Sequence, residues 1–88
     1  MSKKSAPLPW HPAPYTEADT AAIKALIAGN ANDGQQQRAI NWIVYTLCGT
    51  YDLSFRPGED GERDTAFAEG KRFIGLQLVK QVKLTTQA

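Results

Sequence analysis

The residues able to do chemistry are few, and their spacing serves none of the usual reactions. The chain of 88 residues holds one histidine and one cysteine. His11 stands between Trp10 and Pro12, and general acid–base catalysis needs a second group held within reach of it. Neither Cys48 nor any serine falls in a nucleophile-elbow or dyad arrangement. A single cysteine excludes an internal disulfide, and one cysteine with one histidine is too few for a structural zinc site. Glu59, Asp60, Glu62 and Asp64 cluster in the manner of a calcium loop, but without the spaced Asp/Asn ladder and terminal Glu of an EF-hand. They read as a solvated acidic turn. The stretch from Gly70 to Gly75 has helix formers between its glycines and no following Lys-Ser/Thr, so it is not a phosphate loop. These residues predict no catalytic group, no cofactor and no metal; the chain is not expected to be an enzyme.

Two sets of side chains could bind rather than react. Arg72, Lys80 and Lys83 share a face at helical spacing and could touch nucleic-acid phosphates. Cations near a helix C-terminus also suit the macrodipole with no ligand present. Glu69, one turn before Arg72, offsets part of the charge, and a net charge of +1 falls short of the dense basic stripe of a DNA-reading domain. The second set is aromatic. Trp42 and Tyr45 fall opposite Ile40, Ile43, Val44 and Leu47 on one helix and need cover, because large exposed aromatic patches usually mark contacts. The next loop, the N-terminal arm or a partner protein would supply that cover. Base stacking beside Arg38 is a further alternative.

The elements that position these groups are helical, and the chain reads as one all-α domain of three helices. Residues 1–15 form an extended arm, since Pro7, Pro9, Pro12 and Pro14 forbid a helix and favour polyproline II. Leu8, Trp10 and Tyr15 are its apolar handles, Lys3 and Lys4 its charge, and it should lie in a groove of its own domain or of a neighbour. Residues 16–88 form the domain. The first helix spans Glu17 to Ala28, with Thr16 as N-cap, Asp19 completing a capping box, and Gly29 ending it. Ile23, Leu26 and Ile27 are its apolar stripe. The second spans Gln35 to Cys48, capped by Asn32 or Asp33 and closed by Gly49. Tyr51, Leu53 and Phe55 alternate with polar residues and should be pinned into the core by an ordered loop. The last helix starts at or just after Asp64 and reaches Leu84, with Phe67, Ile74, Leu78 and Val82 on one stripe. Phe73, Leu76 and Val79 lie on other faces, so it should be buried on more than one side. Gly70 and Gly75 mark two close approaches.

A chain this short buries only about 60% of its unfolded surface, and without disulfide or metal its expected support is association. The longest apolar run, Ile40 to Cys48, is interrupted by Asn41 and Thr46 and is too short to span a bilayer. The opening residues resemble a signal n-region with no apolar h-region behind it. A lone free cysteine suits a reducing compartment. The expectation is a soluble protein made in the cytoplasm.

The run Phe67-Ala68-Glu69-Gly70-Lys71-Arg72-Phe73-Ile74-Gly75-Leu76 resembles the F-x-E-G-[KR]-R-x-[VI]-G-L signature of a family of small tailed-bacteriophage proteins. That family is named after an open reading frame of a Bordetella podophage. Trp42 to Gly49 and Phe55 resemble its body, and the likeness covers about residues 36–84. It implies a virion-associated protein made in the host bacterial cytoplasm, and it brings no catalytic residues. The expected function is structural: docking in symmetric copies on capsid, portal or tail proteins, on itself, or on both. Leu8, Trp10, Tyr15, Trp42, Tyr45, Phe73, Leu76 and Val79 are the contact candidates. The alternatives are a nucleic-acid-binding or DNA-packaging accessory using Arg72, Lys80 and Lys83, and a small inhibitor of a host enzyme.

Overall fold

The computed structural model describes residues 8–83, which form an all-α domain with no strand among them. The first seven residues of the expected arm, with Lys3, Lys4 and Pro7, and Leu84 of the expected last helix lie outside the described residues. Helix α1 spans Glu17–Ala28. The Thr16 hydroxyl accepts from the Asp19 amide at 3.3 Å and the Asp19 carboxylate accepts from the Thr16 amide at 2.9 Å, so two otherwise orphaned donors are satisfied reciprocally. Gly29, at φ 80°, ends the helix. Helix α2 spans Asp33–Asn41, two residues earlier than Gln35, because Asn32 forms a second capping box with Gln35.

From Trp42 to Leu47 the second helix continues as a π-helix. The cause lies just beyond it. The Val44 carbonyl accepts both the Thr50 amide at 3.2 Å and the Thr50 hydroxyl at 2.6 Å. An α-helix would offer that carbonyl to the Cys48 amide. Cys48 donates instead to Ile43, five residues back, at 2.9 Å, which is the π pattern. The wider turn displaces the inward face from the one that a 100° spacing gives. Ala39, Val44 and Cys48 are buried, whereas Ile40 and Leu47 are exposed and Ile43 is intermediate.

Helix α3 spans Gly61–Lys83 and so starts three residues before Asp64. The Gly61 amide donates to Gly58 at 3.0 Å and the Asp64 amide to Asp60 at 2.9 Å, which closes the first turn early. Asp64 is therefore buried inside that turn rather than standing at the cap. The inward face of α3 is Gly61, Asp64, Ala68 and Gly75. The expected stripe is elsewhere: Phe67, Ile74 and Val82 are exposed and Leu78 is intermediate.

The same substitution of small for large holds throughout. Ala22 and Ala39 are fully buried where α1 meets α2, while Leu26 is exposed and Ile27 is 82% exposed. Close helix approach puts alanines, not branched side chains, at the contact. The buried hydrophobic set is Ala22, Ala39, Val44, Cys48 and Ala68, and the largest fully buried side chain is Thr50.

The loop before α3 inverts its expected register. Tyr51, Leu53 and Phe55 are exposed, Leu53 at 77%, and the partly buried residues are Ser54 and Arg56. Polar bonds hold it. One Arg56 guanidinium nitrogen, Nη1, donates to the carbonyls of Leu53, Ser54 and Phe55. The Arg56 amide donates to the Thr65 hydroxyl at 2.8 Å and the Ser54 hydroxyl donates to Glu69. Gathering these backbone carbonyls on one guanidinium and tying Ser54 and Arg56 to α3 turns the polar side of the loop inward, and the apolar side is left outside.

Candidate protein-contact surface

The arm lies on its own domain. Trp42 Nε1 donates to the Pro14 carbonyl at 2.9 Å, and Lys71 Nζ donates to the Pro9 carbonyl at 2.9 Å. An extended polyproline segment makes no internal hydrogen bonds, so its carbonyls are free to accept from both donors. Pro9 is buried by this strap, whereas Leu8, Trp10 and Tyr15 stay exposed, Tyr15 at 70%. A cavity of about 230 Å³ remains between arm and loop, with His11, Cys48, Asp52, Arg56 and Lys71 among its walls. Burial pushes the Cys48 thiol up, against a smaller opposing effect of Lys71, so the thiol is held in its unreactive protonated form. His11 stacks edge-on against Trp10 with ring centres 4.4 Å apart. No group of three metal-ligating side chains occurs among the described residues.

The contact candidates divide. Trp10, Tyr15, Tyr45, Phe73 and, less so, Leu8 and Leu76 are exposed. Trp42 is half-covered by the arm and Val79 is intermediate. Tyr45 packs its ring against Tyr51, ring centres 5.3 Å apart. These side chains do not form one patch: the arm carries Trp10 beside Phe67 and Ile74, while Tyr15 and Trp42 border a separate hollow with Ile23. Phe73 and Leu76 stand on the free side of α3. Spacing could not identify Ile27, Leu53, Phe55 and Val82 as exposed, because it assigned Ile27 and Val82 to apolar helix stripes and Leu53 and Phe55 to a loop pinned into the core.

The charged side chains are mostly committed inside the domain. Arg38 Nε binds Asp19 at 3.0 Å, which ties α2 to the cap of α1. The Asp19 carboxyl is held below its usual range, first by the Thr16 amide and then by the Thr16 hydroxyl and Arg38, with desolvation opposing. Arg72 pairs with Glu69 at 3.6 Å and Arg63 with Asp60 at 3.1 Å. Of the nucleic-acid candidates, Lys80 and Lys83 remain exposed in the last turn of α3. Lys71, Thr50 and Arg56 organise the domain; Lys71 lies in the Phe67–Leu76 run, but no spacing flags its bond to Pro9, and Thr50 and Arg56 stand in no motif.

The geometry defines a small helical domain with a minimal core and a large unpartnered apolar exterior. Compared with known proteins, the chain matches no family model, no curated protein and no solved structure. No described helix is long and apolar enough to cross a membrane.

Proposed function

We propose that this chain is an assembly subunit of a tailed-bacteriophage virion, docking on capsid, portal or tail proteins through its apolar helix faces and its arm. The observation that carries the reading is the inverted distribution of side chains. Alanine, glycine and threonine fill the interior, while Tyr45, Leu53, Phe55, Phe73 and Val82 stand in solvent. Large apolar side chains left outside a core this small are a feature of surfaces that meet another protein, and their separate places on the domain suit more than one neighbour. The likeness of Phe67–Leu76 to the phage signature supports the setting. The nucleic-acid alternative is weaker, because Arg72 is shared with Glu69 and two lysines make a thin electrostatic footprint.

Mass spectrometry of purified virions of the phage that carries this gene tests the reading. The expected result is the chain present at a fixed ratio to the capsid, portal or tail proteins. Its absence from virions, with no affinity of the purified chain for virion proteins, overturns it.

A further inference from the structure

We infer that α3 pairs antiparallel with α3 of a second copy of this chain, about a two-fold axis at the level of Lys71. This rests on reading the exposed apolar faces as contact surfaces, and it names the occupant of one of them. Glu62, Ala66, Glu69, Phe73, Leu76 and Lys80 follow a four-three spacing along α3, which keeps them on one stripe of a helix that packs along another at a shallow angle. All six are exposed, Phe73 at 59%. Among the described residues nothing lies within 4 Å of the space above Gly70, beside Phe73 on this face. The domain thus carries both a ring and an open depression to receive one.

Charge selects a second copy and its direction. Glu62 lies in the first turn of α3 and Lys80 and Lys83 in the last. The other charges near this face are balanced locally, Arg63 by Asp60 and Arg72 by Glu69. Glu69 is drawn off the stripe by Ser54 and Arg72. In an antiparallel pair Glu62 of each copy meets Lys80 of the other, Ala66 meets Leu76, and each Phe73 falls at the level of the other's Glu69, one position from the open space at Gly70. A two-fold contact must be self-complementary in this way. A parallel pair would set Glu62 against Glu62 and Lys80 against Lys80. Glu62 and Lys80 are 18 positions apart, about 27 Å of helix, so both ends are engaged at once.

Sedimentation velocity of the full chain at tens of micromolar tests the pairing, with far-UV circular dichroism confirming that each variant is folded. The wild-type chain is expected to be a dimer and Phe73→Asp a monomer. Glu62→Lys and Lys80→Glu each place like charges together at both ends, and each should raise the dimer Kd by about tenfold or more. Mixed in equal amounts, those two variants should recover a dimer, because every end then meets its opposite. A monomeric wild-type chain overturns the inference, as does a dimer indifferent to Phe73→Asp. A mixture that stays monomeric overturns the antiparallel arrangement. A monomer that is nevertheless found in virions sinks the pairing and leaves the assembly reading standing.

Discussion

Two glycines on α3, five residues apart, have opposite surroundings. A methyl group at Gly75 would run into the Thr50 side chain, 2.9 Å from its Cβ and 3.0 Å from Cys48 Cβ. A methyl group at Gly70 would meet none of the described residues within 4 Å. One glycine therefore exists for packing inside the subunit, and the other has no reason inside it. The contrast extends to the whole helix. Its inner face is glycine, alanine and a buried aspartate, so that the Cys48–Thr50 turn can sit down on the backbone. Its outer face keeps Phe73 and Leu76, 59% and 37% exposed.

The same substitution at both positions is the sharpest way to test that contrast. Gly75→Ala should lower the unfolding free energy by about 2–3 kcal/mol in urea titrations, the scale of overpacking a tight contact. Thr50 cannot simply swing aside, because its hydroxyl donates to the Val44 carbonyl at 2.6 Å in the buried π-turn. A Gly75→Ala protein as stable as wild type would mean that the turn does not nest on α3. Thr50→Val comes next in size. It keeps the shape and removes the hydroxyl, while Val44 retains the Thr50 amide, so the loss should be about 1–1.5 kcal/mol. No loss in the same titration would remove that hydroxyl as the reason for the π-turn.

The caps were legible in the sequence and the core was not. Thr16 with Asp19, and Gly29 and Gly49 at helix ends, are local devices whose partners lie a few residues away, and the structure has all of them. Helix number and class followed from them. The apolar stripes failed for one physical reason: hydrophobic periodicity assumes that a domain buries its largest side chains, and this one buries its smallest. Ile27, Phe67 and Val82 fit the helical period and still face out. The loop failed through the long-range demands of Arg56 and Ser54, which no spacing encodes. Gly70 marks a close approach by spacing, and none of the described residues comes within 4 Å of it. The arm was legible as extended, but its anchoring by Lys71 links residues 62 positions apart, beyond any local pattern.

The cap joining α1 to α2 allows a gentler comparison, between a polar contact and the packed one at Gly75. The Thr16 amide, the Thr16 hydroxyl and Arg38 together hold the folded-state pKa of Asp19 below its ordinary 3.8. A lowered folded value means stability that is present above the unfolded pKa and is lost as pH falls through the folded one. Unfolding midpoints followed from about pH 5 to about pH 2 should therefore fall less steeply for Asp19→Asn than for wild type. Identical slopes would show that the carboxylate is not held by these partners. Adding salt should weaken the Arg38 part of the contact, since that side chain is 49% exposed and such pairs are screened.

The smallest effect is expected at Gly70, and its sign separates the two glycines. In a dilute, monomeric sample, Gly70→Ala adds a methyl group to open space and removes the backbone freedom of a mid-helix glycine. It should raise stability by about 0.5–1 kcal/mol, where the same change at Gly75 lowers it. Urea titration below the association range reads this cleanly, because no second copy competes for the surface. If Gly70→Ala instead destabilised the dilute monomer, some segment of the chain itself would have to lie over that position. The depression above Gly70 would then be an internal contact, and α3 would have lost its one vacant seat for the ring of Phe73.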